Sequence, residues 1–236
     1  MSKILVLGVT GSGKTSSLFP SDKLGIKGLN PKETFLITVT NKPLSCKGGN
    51  KLYPIGTPET GQRYISNSGE KIAKAMLYIN EKRPEIKNIV LDDTNYIMQD
   101  YYMANAARKG YDTFKEIGMD FNYIFVAAEN LRQDINFIMM AHCEEYRDSN
   151  TDSLSYRFKT VGKMVSDYLT PEGKFENVLY TKQVFNSQEK TVNKYFVTNY
   201  DGQYPAKTPA GMFDELYIPN DMSIVIEAIN KYNNEL

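Results

Sequence analysis

Short runs of apolar residues alternate with amphipathic stretches along the first two thirds of the chain. Such runs at 3–7, 34–39, 89–91 and 135–141 predict buried strands, because each is short and rich in apolar residues. Apolar residues at helical spacing predict helices over 69–82, 97–117, 119–134 and 222–233. Strands that alternate with helices predict an α/β fold with a mainly parallel sheet flanked by helices.

The later part of the chain follows a different pattern. Two stretches at 178–185 and 192–198 predict a C-terminal β-hairpin region. The segment 41–56 is rich in Gly and Pro and predicts a loop, and the polar segment 143–158 predicts a mobile stretch. With 236 residues, we expect a single domain over 1–236.

A phosphate-binding motif follows the first predicted strand. Residues 8–15 read Gly-Val-Thr-Gly-Ser-Gly-Lys-Thr, which is a complete G-x-x-x-x-G-K-[ST] sequence. A chance match in a glycine-rich turn is the alternative, but the order of strand, loop and predicted helix argues against it. The motif predicts nucleoside triphosphate binding, with Lys14 on the β and γ phosphates and Thr15 on Mg²⁺. The predicted contact residues are Gly8, Gly11, Ser12, Gly13, Lys14, Thr15 and Ser16.

Two consecutive acids close the third predicted strand. Asp92 is predicted to hold Mg²⁺, since a phosphate-loop enzyme places an acid at the end of a buried strand. Asp93 is predicted to orient or activate the attacking water. The alternative for both is capping of the helix that follows. Because ligands of parallel sheets bind at the carboxyl ends of strands, these acids and residues 8–15 should lie at one edge.

Two further residues are candidates for catalysis. His142 follows the fourth predicted strand, where its side chain would contact the γ-phosphate or its water; a structural histidine is the alternative. Phosphoryl transfer also needs positive charge beyond the metal. Lys207 lies between Pro205 and Pro209, and we expect it to supply that charge to a neighbouring subunit; an ordinary exposed lysine is the alternative.

Aromatic and basic residues alternate at 156–159. A Tyr-Arg-Phe-Lys segment can stack on bases and bind phosphates of a nucleic acid. An amphipathic strand with two buried rings is the alternative. The rest of the composition is that of an ordinary globular protein, with 28 basic and 28 acidic residues. Residues 1–51 carry eight Lys against Asp22 and Glu33, which fits phosphate binding at that end of the chain; a solvated face is the alternative.

Composition also excludes several classes of protein. Two cysteines and one histidine do not make a disulfide framework, and they make a zinc site improbable. No apolar run is long enough for a membrane-spanning helix. Since the chain begins at once with a predicted strand, we expect no signal peptide and a cytoplasmic location.

The order of motifs resembles a known family, the AAA-type ATP-binding proteins of tailed phages. Those proteins are similar to core-only RecA-like ATPases, some of them linked to recombination and single-strand annealing. The motifs that carry the resemblance are residues 8–15, Asn41-Lys42-Pro43-Leu44, Val90-Leu91-Asp92-Asp93, Leu131-Arg132-Gln133-Asp134, 159–164, Asp201-Gly202, 206–209, Gly211-Met212-Phe213 and Ile218-Pro219-Asn220-Asp221.

The resemblance implies a RecA-like P-loop NTPase with ATP and Mg²⁺ as cofactors, assembled as a ring or filament. It implies action in phage recombination or replication, with partner proteins of those processes, and contacts to single-stranded DNA from segments 101–116 and 143–160. The DNA-binding candidates are Tyr101, Tyr102, Arg108, Lys109, Arg147, Tyr156, Arg157, Phe158 and Lys159.

Two departures from the family are present. Ser45-Cys46 stands where the family usually has Pro-Phe, and Asn41 and Lys42 stand where RecA-like enzymes place a catalytic carboxylate. Two other functions stay open. One is a non-catalytic nucleotide-dependent assembly switch, and the other is a small-molecule or nucleotide kinase. The kinase is disfavoured because the six Arg are scattered along the chain rather than gathered in a phosphate-clamping lid.

Overall fold

A computed structural model describes residues 1–108, 110–147, 153–167 and 169–234. Over these ranges nine strands and six α-helices are present. The strands are β1 (Ser2–Gly8), β2 (Thr34–Thr38), β3 (Arg63–Ile65), β4 (Asn88–Asp92), β5 (Asn136–Arg147), β6 (Leu154–Phe158), β7 (Asn177–Asn186), β8 (Thr191–Val197) and β9 (Tyr217–Pro219). The helices are α1 (Gly49–Leu52), α2 (Gly69–Lys82), α3 (Asn95–Ala104), α4 (Asp112–Glu129), α5 (Lys163–Ser166) and α6 (Met222–Asn234).

The strands form one sheet in the order β3-β2-β4-β5-β1-β7-β8-β9, with β6 paired to the outer part of β5. Every pairing from β3 to β7 is parallel, whereas β7–β8, β8–β9 and β5–β6 are antiparallel. Strand β5 therefore lies between β1, which leads into the phosphate loop, and β4, which ends in the acids. The mainly parallel sheet and the C-terminal β-hairpin confirm the predicted fold class.

Both faces of the central strands are buried. Leu5 and Leu7 of β1 belong to a core that includes α2, α3 and α4. Ile4 and Val6 belong to a second core, on the other face, which includes α6. Burial on both faces explains why these strands read as continuous apolar runs.

The prediction of a helix directly after the phosphate loop is wrong. In its place, Thr15–Leu18 forms a single 3-10 turn, and the connection to β2 contains two more short 3-10 turns. Leu18 and Phe19 instead share a core with Met222 and Val225 of α6. A helix from the far end of the chain thus covers this face, which no local pattern encodes.

The two helices predicted at 97–117 and 119–134 are divided differently in the structure. Helix α3 ends at Ala104, where Asn105 Nδ2 donates to the Tyr101 carbonyl, and α4 runs from Asp112 to Glu129. Gly110 lies between them with φ +94°, a left-handed backbone that a continuous helix does not contain. Past α4, Arg132 donates to the carbonyls of Ile79, Asn80, Arg83, Pro84 and Ile86, so this segment ties α4 to α2 instead of extending the helix.

Other predicted elements are close to those observed. Helix α2, helix α6 and the β7–β8 hairpin confirm their predictions within one or two residues. Strand β5 is longer than predicted, and the 41–56 loop contains the short α1. The predicted mobile stretch falls partly on 148–152, outside the described residues; the parts on either side pair as β5 and β6. Among the described helices, none has the length and hydropathy to cross a bilayer.

Candidate active site

The phosphate loop and the two acids lie around one cavity at the carboxyl edge of the sheet. Its volume is about 320 Å³. Loop residues 10–16 form one side. Thr40 follows β2, Asp92 and Asp93 lie at the end of β4, and His142 lies within β5 rather than after it, because β5 is longer than predicted. The structure therefore brings these predicted site residues together, as expected for a parallel sheet.

Glycine is required at two positions of the loop. Gly13 has φ +105°, and a Cβ atom there would lie 2.7 Å from Asn220 Oδ1 and 2.8 Å from Lys194 Cδ. A Cβ atom on Gly8 would lie 1.8 Å from Thr181 Oγ1, which donates to Ser12 Oγ at 2.6 Å. The loop is thus packed tightly against β7, β8 and the segment before α6, and these contacts fix its curvature.

The Lys14 amine is held inside the loop. Its Nζ donates to the carbonyls of Gly8 at 2.7 Å and Val9 at 3.0 Å. Burial lowers the pKa of Lys14, and the charge of Asp92 opposes that shift. A buried cation that faces the cavity suits the binding of an anion such as a triphosphate.

Thr15 and Asp92 are in direct contact. The Thr15 hydroxyl donates to Asp92 Oδ2 at 2.9 Å, and the other carboxylate oxygen accepts from the Asp93 backbone N–H at 2.9 Å. Burial raises the pKa of Asp92, and the neighbouring Asp93 charge adds to the shift. Helix α3 begins later, at Asn95, with Thr94 at its N-cap position, so the Asp92 carboxylate is not the cap. A hydroxyl and a carboxylate side by side are the oxygen ligands that Mg²⁺ prefers.

Asp93 is buried and already has partners. One oxygen accepts from Thr40 Oγ1 at 3.0 Å and forms an ion pair with Lys42. The other lies 3.9 Å from His142 Nε2. Asp93 also has φ +63°, a left-handed conformation that costs a non-glycine residue about 1 kcal/mol or more. The strained backbone directs this carboxylate into the cavity, which fits a functional role.

His142 is held through its backbone by a residue that the sequence patterns did not indicate. Asn95 Oδ1 accepts from His142 N at 2.5 Å, and Asn95 Nδ2 donates to the carbonyls of His142 at 3.3 Å and Lys159 at 2.5 Å. Tyr96 packs edge-on against the imidazole. Burial, and then the charge of Lys14, lower the pKa of His142. The nearby Asp93 charge opposes this shift, and the lowered pKa favours the neutral imidazole.

The segment after β2 is fixed by a buried arginine. Arg63 Nε donates to Thr38 Oγ1 at 3.0 Å, and its Nη2 donates to the Lys42 carbonyl at 2.8 Å. Burial lowers the pKa of Arg63. Arg63 thereby holds the segment that carries Thr40 and Lys42. Arg63 is not among the predicted site residues, because no local spacing indicates contacts with residues more than 20 positions away in the sequence.

Lys194 is a second cation at the loop, and it is not among the predicted site residues. Lys194 on β8 and Gln183 on β7 are cross-strand neighbours, and both donate to the Gly11 carbonyl, at 3.2 and 3.0 Å. Lys194 also lines the cavity. The alternating pattern of the hairpin predicted its strands but not its position beside the phosphate loop.

Lys207 lies elsewhere on its own chain. Its backbone exchanges two hydrogen bonds with the backbone of Val178, at 2.8 and 2.9 Å. Val178 belongs to β7, where it pairs with Leu5 of β1. Its side chain is exposed and does not line the cavity. A role in a neighbouring subunit's site stays a prediction.

Several of the predicted DNA-binding side chains are buried or already contact other side chains of the protein. Phe158 is buried against Phe121, so its prediction as a base-stacking residue is wrong; an alternating pattern does not show which face is covered. Tyr156 stacks on Tyr204, and Tyr102 stacks on Phe114.

The basic residues of these segments are partly paired with acids. Arg157 Nε binds Glu144 at 2.9 Å, and Arg108 forms an ion pair with Glu116, which also accepts from the Tyr101 hydroxyl. Lys159 is exposed, and Arg147 ends β5. Lys109 lies outside the described residues.

No protein-family model matches the chain, and no curated protein matches it. Among solved structures, a KaiC-like protein from the archaeon Pyrococcus horikoshii OT3 matches 84% of this chain and 79% of its own, with 11% identity and a TM-score of 0.41. The fold is read from the sheet itself, which is mainly parallel and in which β5 separates the phosphate-loop strand from the acid-bearing strand.

Proposed function

We propose that the protein is a Mg²⁺-dependent ATPase. The observation that carries the proposal is the 2.9 Å contact between Thr15 Oγ1 and Asp92 Oδ2. This contact joins the end of the phosphate loop to the acid of β4, which are the two parts that hold a metal on a bound triphosphate. The motif at residues 8–15 supplies the phosphate contacts, and Lys14 supplies the cation for the β and γ phosphates.

In this proposal Thr15 and Asp92 hold the metal. When bound, Mg²⁺ would neutralise charge on the phosphate oxygens and stabilise the ADP leaving group while the γ-phosphoryl group is transferred to water. The loop N–H groups and Ser16 orient the triphosphate. Asp93 orients the attacking water, since its carboxylate reaches the cavity from a strained backbone, and Lys42 and Thr40 hold that carboxylate in place.

Positive charge near the γ-phosphate has two candidate sources. Lys194 supplies it from within the chain, because its amine already lies at the Gly11 carbonyl. Lys207 supplies it only if a neighbouring subunit brings it to the cavity. We propose that Lys194 is the cation used within one chain, and that Lys207 contributes in an oligomeric ring or filament.

We further propose that ATP controls binding of single-stranded DNA in phage recombination or replication, in the host cytoplasm. The specific observation that favours coupling is Asn95, which joins the His142 backbone to the Lys159 carbonyl. A change at the γ-phosphate end can therefore reach the segment that carries Arg157 and Lys159. The ion pairs of Arg157 and Arg108 must open for those side chains to contact phosphates.

Phosphate release from ATP, measured with and without Mg²⁺ and with and without single-stranded DNA, tests the proposal. Mg²⁺-dependent release that Lys14→Ala abolishes is the expected result. Tight ATP binding without release would favour the assembly switch. Phosphate transfer to an added nucleotide acceptor, in place of release to water, would favour the kinase.

A further inference from the structure

A second cavity lies at the other end of the phosphate loop. Its volume is about 450 Å³, within the range of small-ligand sites. It shares Ser16 and Lys194 with the cavity at the acids, so the two are adjacent along the loop. Its walls come from the 23–26 turn, from β8 and from the segment between β9 and α6.

The walls of this cavity are held by hydrogen bonds. The Asp221 carboxylate accepts from the backbone N–H groups of Lys27 at 2.7 Å, Gly28 at 3.0 Å and Ser223 at 2.9 Å. The turn itself is closed by two hydrogen bonds between Ser21 and Ile26, at 2.8 and 3.0 Å. The cavity is therefore formed before any ligand arrives.

One polar side chain at the cavity lacks partners. Asn220 is 5% exposed, and in the described part of the chain neither its amide nitrogen nor its amide oxygen has a hydrogen-bond partner. Buried side-chain amides are nearly always satisfied, because leaving them unpaired costs free energy. Its oxygen lies beside Gly13, at the loop. This unpaired donor and acceptor lie where the loop meets the cavity, and they point to a ligand that offers a hydrogen-bond acceptor next to a donor.

The direction of a bound triphosphate follows from the site. Asp92, Asp93 and His142 mark the γ-phosphate end, and Ser16 marks the opposite end, so the nucleoside leaves the loop beside Ser16. We propose that the second cavity binds the nucleoside half of the ligand and that Asn220 hydrogen-bonds an adenine base. This inference rests on the proposed nucleotide binding at the loop.

Adenine fits the available groups better than guanine does. An Asn amide pairs with the adjacent donor and acceptor on an adenine edge. Guanine would be favoured by a carboxylate that accepts from its two neighbouring N–H groups. Two carboxylates line the cavity: the Asp221 oxygens are already bound to backbone N–H groups, and the exposed Glu189 accepts from the Thr191 hydroxyl at 3.3 Å. Leu24, Ile26 and Val192 supply apolar surface for the ring.

The test compares ATP with inorganic tripolyphosphate, which contains the phosphates alone. We expect Asn220→Ala to weaken ATP binding about tenfold, as the loss of a good hydrogen-bonded pair does, and to leave tripolyphosphate binding unchanged. Titration calorimetry with Mg²⁺ gives both constants. Equal loss for both ligands, or no loss for either, would overturn the inference. If the unaltered protein bound neither ligand, the proposed function itself would fail, and the inference with it.

A pair of surface variants keeps the test valid if Asn220→Ala does not fold. Thr191 is exposed at the start of β8 and lines the cavity, so Thr191→Trp should obstruct it without touching the loop. Gln188→Trp is the control, because Gln188 lies in the adjacent hairpin turn and outside the cavity. Of the two variants, only Thr191→Trp should weaken the binding of ATP relative to the binding of tripolyphosphate. The unaltered protein should also bind ATP at least tenfold more tightly than GTP. Equal effects of the two Trp variants, or equal affinity for ATP and GTP, would contradict the proposal.

Discussion

Lys42 forms an ion pair with Asp93, and this contact gives the two consecutive acids after β4 different surroundings. Asp92 is bound to Thr15 of the phosphate loop, whereas Asp93 is bound to Thr40 and Lys42, which follow β2. The pair also places a cation where a RecA-like enzyme would have a carboxylate. For this reason the proposal gives the orientation of the water to Asp93, which approaches the cavity from β4.

Removal of the Asp93 charge should affect turnover more than binding. We expect Asp93→Asn to reduce ATP hydrolysis by about 10²-fold or more, as the loss of a general base does, with ATP affinity changed by less than about threefold. Lys42→Met should reduce turnover by a smaller factor, because Asp93 keeps its Thr40 contact. Lys47→Met is the control, since this exposed lysine lies on the same loop outside the cavity. Equal turnover for Asp93→Asn and the unaltered protein would exclude a catalytic role for Asp93.

Lys194 and Lys207 can be separated by subunit mixing. Lys194→Ala should reduce turnover by ~10²-fold, the size expected for a donor that stabilises transition-state charge. Its control is Lys190→Asn on the same hairpin, because Asn tolerates the φ of +53° found there. Lys207→Ala should reduce turnover only in the oligomer, and mixing it with Lys14→Ala should restore part of the activity. A rate per chain that does not depend on protein concentration would remove Lys207 from the site.

Single-stranded DNA binding should depend on ATP and on salt. The double variant Arg157→Ala, Lys159→Ala should weaken binding and reduce the slope of log K against log salt by about 1–1.5, since up to two phosphate contacts are lost. Lys32→Ala with Lys51→Ala, two exposed lysines on another surface, is the charge-matched control. Fluorescence anisotropy of labelled single-stranded DNA, measured with and without ATP at two salt concentrations, gives the affinity and the salt slope of each protein. Unchanged affinity in the first variant would remove this segment from the DNA-binding surface.

Asp201 should stabilise the fold in a pH-dependent way. Its carboxylate accepts from Gln203 N, Tyr204 N, Lys182 Nζ and the Tyr217 hydroxyl. Burial alone would raise the pKa of Asp201, but the hydrogen bonds from Tyr204 and Lys182 outweigh it and lower the pKa. Asp201→Ala should therefore cost about 1–3 kcal/mol of unfolding free energy near pH 7.

The sign of the Asp201 effect with pH follows from the lowered pKa. The stabilisation is complete above the unfolded pKa of about 3.9 and is lost as pH falls through the folded value. Urea unfolding at pH 7 and pH 3 should show the difference from the unaltered protein shrinking at the lower pH. Asp214→Ala, at an exposed position, is the control. A difference that grows on acidification would contradict this assignment.

Local chemistry made much of the phosphate site predictable. The loop at residues 8–15, the strands around it and the acids at 92 and 93 are neighbours in sequence or follow strands of clear pattern. The 3-10 turn at Thr15–Leu18 was not predictable, because its place on the sheet is covered by α6 from the far end of the chain.

The site residues that could not be predicted are placed by contacts between residues far apart in the sequence. Lys194 and Asn220 lie beside the phosphate loop only because the strand order of the sheet brings β8 and β9 close to it. Arg63, on β3, donates to the carbonyl of Lys42, which follows β2. Spacing along the chain carries no signal for such contacts. Phe158 shows a related limit, since alternation predicts a strand but does not show which side faces a core.

The contact between Thr15 and Asp92 is tested most directly by the Mg²⁺ dependence of ATP hydrolysis in three proteins. The unaltered protein should release phosphate only with Mg²⁺. Asp92→Asn should bind ATP within about tenfold of the unaltered affinity but hydrolyse it ~10²-fold or more slowly, because metal placement is lost. Lys14→Ala should lose hydrolysis and much of its ATP affinity, since it lacks the cation on the phosphates. Hydrolysis by Asp92→Asn at the unaltered rate and with the same Mg²⁺ dependence would contradict the account.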